Sequence, residues 1–250
     1  MKNFVVIVPF YKRHEITSLC FEHLQKQREK LGFFDVITCG SEGKKSKDLA
    51  EKYGHGYVEF KNTPVSHKNN FLIQQTKYYK AVIMLGSDDF LTDETLLSYQ
   101  NLNLDTCDVY GFEFCHFYNV ATAELYRFQS RGQTIGAGRV YTQKLLQSLD
   151  YTLWNGNQNK GLDYLALKSA LAHGKEVIIQ GDVLDVKHEL NITSHSIVES
   201  SENIDISELL KFNIEGLDKL KESNTKQIVM SKEVKSNKRR VKFLKDVYQY

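Results

Sequence analysis

Three short apolar runs constrain this chain most: FVVIV at 4–8, FDVIT at 34–38 and AVIML at 81–85, each leading into a polar loop. A run of β-branched residues that leaves no polar face belongs to a strand covered on both sides, as in a parallel sheet with helices on each face. The segments between them predict helices at 14–30, 46–53 and 66–79 and a short strand at 57–60. That alternation is the pattern of a mostly parallel α/β sheet. After about residue 105 the rhythm changes. DVYGFEFCHFYNV alternates apolar and polar side chains over 109–118 and turns near 120–124, which predicts a small antiparallel element. Further on come GAGRV, a helix at 142–149, the loop WNGNQNKG, a helix at 162–173 and strands at 176–180 and 183–186. Residues 1–200 read as one domain and 201–250 as a helical, basic appendage.

Composition removes several classes of function. Lys plus Arg (33) nearly balances Asp plus Glu (31), so the chain lacks the overall positive field of a dedicated nucleic-acid binder. Cys20, Cys39, Cys107 and Cys115 have neither CxxC spacing nor clustered histidines, which argues against a structural zinc or a disulfide framework and for reduced thiols in a cytoplasmic protein. The N-terminal apolar run is too short for a signal peptide. No 18-residue apolar stretch exists to span a membrane.

In open α/β sheets ligands bind where the carboxyl ends of the strands meet their loops. Here those loops are PFYKR at 9–13, CGSEG at 39–43 and GSDD at 86–89. Asp88 and Asp89 cannot both be buried as unpaired anions, because desolvation and mutual repulsion add. A hard divalent cation, Mg²⁺ or Mn²⁺, resolves that conflict. The competing reading has Asp89 or Asp93 capping the next helix and Asp88 solvated.

The order of these features resembles the GT-A glycosyltransferases, particularly the inverting family 2 type. VIVPFYKR is similar to that family's strand ending in Pro-x-Tyr-Asn, with Lys12 in place of the asparagine. TCGSEG keeps the Gly40 and Ser41 of an Asp-Asp-Gly-Ser motif, and Cys39 replaces an aspartate. HKNN, His67 to Asn70, is a loose counterpart of an Ala-Arg-Asn helix start. GSDD matches Asp-x-Asp-Asp with Gly86 in the first position, and GLDYLALKSALAHG looks like the helix carrying the catalytic carboxylate. Together these motifs span residues 4–180.

The resemblance implies transfer of a sugar from a nucleotide-diphospho-sugar to an acceptor hydroxyl, with inversion. Asp163 is then the base, its bland alternative being a carboxylate facing a helix dipole. Asp88 and Asp89 would hold the metal, with His188 as a third ligand. Pro9, Tyr11, Arg13, Gly40, Ser41, Asn69, Ser87, Asp88 and Lys187 would bind the donor, Lys187 through its diphosphate. Trp154 and Arg139 would face the acceptor, although a lone tryptophan also anchors loops and GAGR also makes a tight connection. The acceptor reads as a glycan or surface polymer, with hydroxylated DNA as the alternative.

The segment 231–245 carries seven basic residues against one acidic, with Val234, Val241, Leu244 and Tyr248 at helical spacing. It reads as a solvated basic face, an anionic-membrane contact that makes the protein peripheral, or a nucleic-acid contact. Two rival functions stand beside the transferase. A sugar-nucleotide nucleotidyltransferase would need a glycine-rich phosphate loop that VPFYKR lacks. A degenerate sugar- or nucleic-acid-binding module would follow from the missing carboxylates at Cys39 and Gly86.

Overall fold

The computed structural model describes residues 3–130, 132–187, 201–218 and 220. Strand β1 (Phe4–Pro9) lies between β2 (Phe34–Gly40) and β4 (Ala81–Met84), parallel to both, with Phe4 opposite Phe34 on one side and Ala81 on the other. Strand β3 (Gly56–Glu59) extends the parallel set beyond β2. On the other flank β9 (Val140–Thr142) runs antiparallel to β4 and to β6 (Val109–Gly111), and β10 (Glu176–Ile178) closes the edge. The order is β10-β6-β9-β4-β1-β2-β3.

The strand faces explain the continuous apolar runs. Phe4, Val6 and Val8 pack toward Ile16, Phe21 and Leu24 of α1 (His14–Leu31). Val5 and Ile7 pack on the opposite face with Leu72 and Ile73 of α3 (Val65–Gln74), together with Trp154 and Leu167. Each such side chain withdrawn from water contributes about 1.5–3 kcal/mol, which holds both helical layers to the sheet. Helix α2 (Lys44–Lys52) connects β2 to β3.

A second sheet has the order β12-β8-β7-β11-β5. It joins β5 (Asp89–Leu91), β7 (Phe114–Asn119), β8 (Glu124–Gln129), β11 (Val183–Lys187) and β12 (Glu202–Ile204). The hairpin expected around 120–124 is the β7–β8 turn. The alternating stretch at 109–118 is divided between the two sheets. Gly111 ends its part in the first sheet where a Cβ would lie 2.7 Å from Thr134, and the chain then crosses to the second.

GSDD runs directly into β5, which begins at Asp89, and not into a helix. The cap of α4 (Asp93–Tyr99) is Thr92, which accepts from the Thr95 N–H, so neither Asp89 nor Asp93 caps it. Beyond residue 200, where the appendage was expected to begin, β12 pairs with β8, and Phe212, Leu217 and Leu220 are buried in the core. The basic run at 231–245 lies outside the described residues. Among the described residues no helix is long and apolar enough to cross a membrane.

Candidate active site

The loop after β1 is strained. Lys12 and Arg13 have φ of 56° and 49°, left-handed values that cost a non-glycine residue about 1–3 kcal/mol. The conformation is braced by Glu42, whose Oε2 accepts from the Lys12 N–H at 2.8 Å and lies 3.2 Å from His14 Nε2. It sends the Arg13 guanidinium across to the end of β4. There Nη1 meets Asp88 Oδ2 at 2.6 Å, and Nη2 reaches Asp88 Oδ1 at 3.3 Å and Ser87 Oγ at 3.2 Å. This two-pronged pair is the strong form of an arginine–carboxylate contact. Arg13 is therefore tied to the acidic motif.

The second carboxylate has a different task. Asp89 folds back so that its Oδ2 accepts from the Gly86 N–H at 2.7 Å, and a Cβ on Gly86 would lie 2.6 Å from that same oxygen. The glycine standing in place of the resembled family's first aspartate is thus filled by its neighbour's carboxylate. Antiparallel pairing of β5 with β11 sets Asp185 opposite Asp89, and the Val186 N–H donates to the Asp88 carbonyl at 2.9 Å. Burial, then the charges of Asp185 and Asp88, hold the Asp89 carboxyl well above the usual carboxylate range. Burial and Asp88 push Asp185 up to about 7. Lys187 pairs with Asp185 Oδ2 and lies over the Phe117 ring. Burial works against the cations of Lys187 and Arg13, and the surrounding carboxylates more than offset it.

Asp185 Oδ1 is recessed and receives no hydrogen bond among the described residues. An unsatisfied carboxylate oxygen next to Asp88 gives an oxygen donor set that suits Mg²⁺ or Mn²⁺. Among the described residues no cluster of three His, Cys, Asp or Glu side chains is arranged around one point. Asp88 and Asp185 are the two carboxylates that could hold such a cation. A cation on Asp88 must share it with Arg13 or displace that guanidinium. Asp89, expected to share the cation with Asp88, turns its Oδ2 onto the Gly86 N–H. His188 lies outside the described residues.

Beside the acidic pair is a cleft of about 290 Å³ lined by Pro9, Phe10, Tyr11, Lys12, Arg13, Asn62, Val65 and Lys68. Tyr11 is exposed at its rim. Lys68 is buried beneath it and donates to the Phe10 carbonyl, to Ser41 Oγ at 2.8 Å and to Asn62 Oδ1 at 3.4 Å. With only neutral oxygens as partners its ammonium is pulled down to about 8 by burial. Ser41 itself donates to the Phe60 carbonyl at 2.6 Å. Cys39, in an aspartate's place, is a buried thiol pushed up to about 11 by desolvation, so it presents no carboxylate-like acceptor. Gly40 is a packing position, since a Cβ there would lie 2.3 Å from Ser46 Cβ. Asn69 is buried, with an Oδ1 that no donor reaches among the described residues.

Asp163 opens the helix α6 (Leu162–Leu171) and is exposed. Its carboxylate lies against Gly136, where a Cβ would come within 2.2 Å of Asp163 Cγ. Loop 136–139 in turn is bonded to the end of β4: the Gly138 N–H donates to the Met84 carbonyl and the Met84 N–H to the Arg139 carbonyl, both at 2.8 Å. Asp163 is thereby carried to the strand end that bears Asp88. Arg139 and Trp154 do not face an acceptor. Arg139 is 1% exposed and turned inward, because its guanidinium finds acceptors in Thr134, Tyr141 and the Asp163 main chain. Trp154 is 3% exposed and donates its Nε1–H to the Leu162 carbonyl at 2.8 Å, anchoring the loop ahead of α6. Asn70 fixes the other side of that loop through the N–H groups and carbonyl of residues 153–154.

The structure thus gathers Arg13, Ser87, Asp88, Asp185 and Lys187, and brings Asp163 to the same edge. Asp185 is not among the residues that the sequence motifs single out. The period-two pattern of VLDVK, with Leu184 and Val186 buried and Asp185 and Lys187 on the other face, was the available clue. Lys68 gave no such clue, since a lysine early in a helix reads as solvent-facing.

No family model matches the sequence, and no curated protein matches it. Solved structures do. TarS residues 1–349 from S. aureus, in complex with UDP-GlcNAc, superposes with a TM-score of 0.60 at 18% identity over 76% of this chain and 60% of that one. The mannosyltransferase PcManGT from Pyrobaculum calidifontis, with GDP-Man and Mn²⁺, gives a TM-score of 0.52 at 15% identity over 78% of this chain and 59% of that one. This chain spans about 60% of the TarS fragment. The mostly parallel central sheet flanked by helices, together with the likeness to these structures, shows that the chain has the GT-A fold.

Proposed function

We propose that the protein is a glycosyltransferase that moves a sugar from a nucleotide-diphospho-sugar to an acceptor hydroxyl with inversion. One observation supports the reading: Asp163 on α6 rests on the 136–139 loop, which is bonded to the end of β4, the strand that leads into the acid–cation cluster around Asp88. The neighbours bound to UDP-GlcNAc and GDP-Man support the donor class.

The cleft behind Tyr11 and Arg13 accommodates the nucleoside, with Tyr11 offering an aromatic face. Lys187 and Arg13 meet the diphosphate, whose negative charge grows as the bond to the anomeric carbon breaks. Asp88 and Asp185 would hold a divalent cation, Mn²⁺ or Mg²⁺, which when bound supplies Lewis-acid neutralisation of that leaving group. Asp163 takes the proton of the acceptor hydroxyl as its oxygen bonds the anomeric carbon from the side opposite the leaving diphosphate. One C–O bond forms and one breaks, the proton rests on Asp163, and the configuration inverts.

Asp163→Asn should leave binding of a nucleoside diphosphate unchanged while donor turnover falls by about 10²–10⁴-fold. Asp88→Asn should weaken nucleoside diphosphate binding in the presence of Mn²⁺. Near-native turnover in Asp163→Asn removes that residue from the base role. Absence of turnover of UDP- and GDP-linked sugars by the unmodified chain, with or without Mn²⁺, removes the transferase reading.

A further inference from the structure

The GAGR segment, 136–139, has an arrangement that the fold alone does not require. Arg139 is buried, yet no carboxylate oxygen pairs with it among the described residues. Its Nε donates to Thr134 Oγ1 at 2.8 Å, Nη2 to the Thr134 carbonyl, and Nη1 to Tyr141 OH at 3.2 Å and to the Asp163 main-chain carbonyl at 2.9 Å. Burying a charge with only neutral partners is unfavourable, and an apolar or amide side chain would fill the same volume more cheaply. What a guanidinium adds is its fork of donors, which ties three separate segments at once: Thr134, strand β9 at Tyr141, and the first turn of α6.

Gly136 contributes the complementary half. Asp163 Cγ and Oδ1 both lie 2.2 Å from where a Gly136 Cβ would stand, so the carboxylate rests on bare backbone. The platform is rigid. Gly138 has φ +73° and its carbonyl accepts from Tyr99 OH at 2.7 Å, while the paired bonds to Met84 fasten the loop to β4. From Asp163 the path to the acidic motif is therefore one contact to Gly136, one bonded loop and the tip of β4.

We propose that Gly136 and Arg139 are positioning residues for Asp163: Gly136 gives its carboxylate the space it occupies, and Arg139 locks its main chain, so that the base is held at a fixed place over the β4 strand end. This rests on the reading of Asp163 as the base. Proton transfer to a placed base is sensitive to displacement, and a shift of about 1 Å can cost about 10²-fold in rate.

Gly136→Ala is the decisive variant, because the three atoms nearest the new methyl all belong to the movable end of Asp163. The full chain, unmodified and as Gly136→Ala, Arg139→Lys, Asp163→Asn and both doubles with Asp163→Asn, is compared in thermal melts, in UDP and GDP binding by calorimetry, and in turnover of UDP-GlcNAc, UDP-glucose and GDP-mannose. Gly136→Ala should melt and bind like the unmodified chain yet turn over about 10²-fold more slowly through kcat, and Arg139→Lys should lose turnover in the same parameter. Neither should slow the Asp163→Asn chain further. Full turnover in Gly136→Ala overturns the proposal, as do effects that multiply with Asp163→Asn, which mark a structural role. Undiminished turnover in Asp163→Asn, or none in the unmodified chain, overturns instead the base reading on which the proposal stands.

Discussion

Restoring an aspartate at Gly86 should harm this protein, although the resembled family carries one there. A Cβ at residue 86 lies 2.6 Å from Asp89 Oδ2 and 3.2 Å from Asp88 Oδ1. In Gly86→Ala the Asp89 carboxyl must swing away from the residue 86 N–H, and losing that hydrogen bond costs about 0.5–1.5 kcal/mol. Gly86→Asp adds a further acid beside Asp88, Asp89 and Asp185, where one like-charge contact at about 4 Å is worth up to about 4 kcal/mol at an effective dielectric constant near 20. Proton uptake within the cluster relieves part of that, so the aspartate variant should lie about 2–4 kcal/mol below the alanine variant at pH 7.5. Urea denaturation of both variants and the unmodified chain at pH 7.5 and 5.5 measures this. The gap between aspartate and alanine should narrow at pH 5.5 as the carboxyls take up protons. An aspartate variant as stable as the alanine one at pH 7.5 would refute the view that Asp89 fills the missing position.

Other outcomes follow from individual contacts. In calorimetric titration with Mn²⁺ alone, Asp185→Asn should bind about 10- to 100-fold more weakly than the unmodified chain, whereas Asp89→Asn should bind much as it does; equal loss in both would show Asp89 to be a ligand. His55 is buried, donates Nε2–H to the Phe21 carbonyl at 2.9 Å, and is held down to about 4 by desolvation. Its folded pKa lies below the unfolded value near 6.5, so the unfolded chain takes up the proton first and stability falls as pH drops from 6.5 to 4. The loss approaches about 3 kcal/mol. His55→Gln should flatten that part of the stability–pH curve, and an unchanged slope would place the titration elsewhere. Trp154→Phe leaves the Leu162 carbonyl without its donor and should cost about 1–3 kcal/mol in denaturant unfolding. The same substitution would leave stability unchanged if Trp154 faced an acceptor.

Much was legible along the chain because it is local. A run such as FVVIV can satisfy its side chains only between two covering layers, so β1, β2 and β4 were readable, and Pro9 and the glycines punctuate them where expected. The acidic doublet at a strand end and the carboxylate opening α6 could be named for the same reason: each follows from its own few residues. Roles set by direction were not. Whether an arginine after two glycines reaches solvent or turns inward depends on which acceptors the rest of the fold places around it. Arg139 found Thr134, Tyr141 and the Asp163 carbonyl. The same holds for Trp154, whose indole N–H has its partner at Leu162.

By itself the sequence determined the strand–helix order, the central strand ending at GSDD and the identity of the acids available there. Tertiary structure alone decided that Asp89 turns back into the space of Gly86, that β11 brings Asp185 and Lys187 to Asp88, and that Arg13 crosses from β1 to pair with it. The physical reason is long-range pairing. Backbone bonds between strands far apart in the chain choose which side chains become neighbours, and charges crowded together by that choice settle their own protonation and partners.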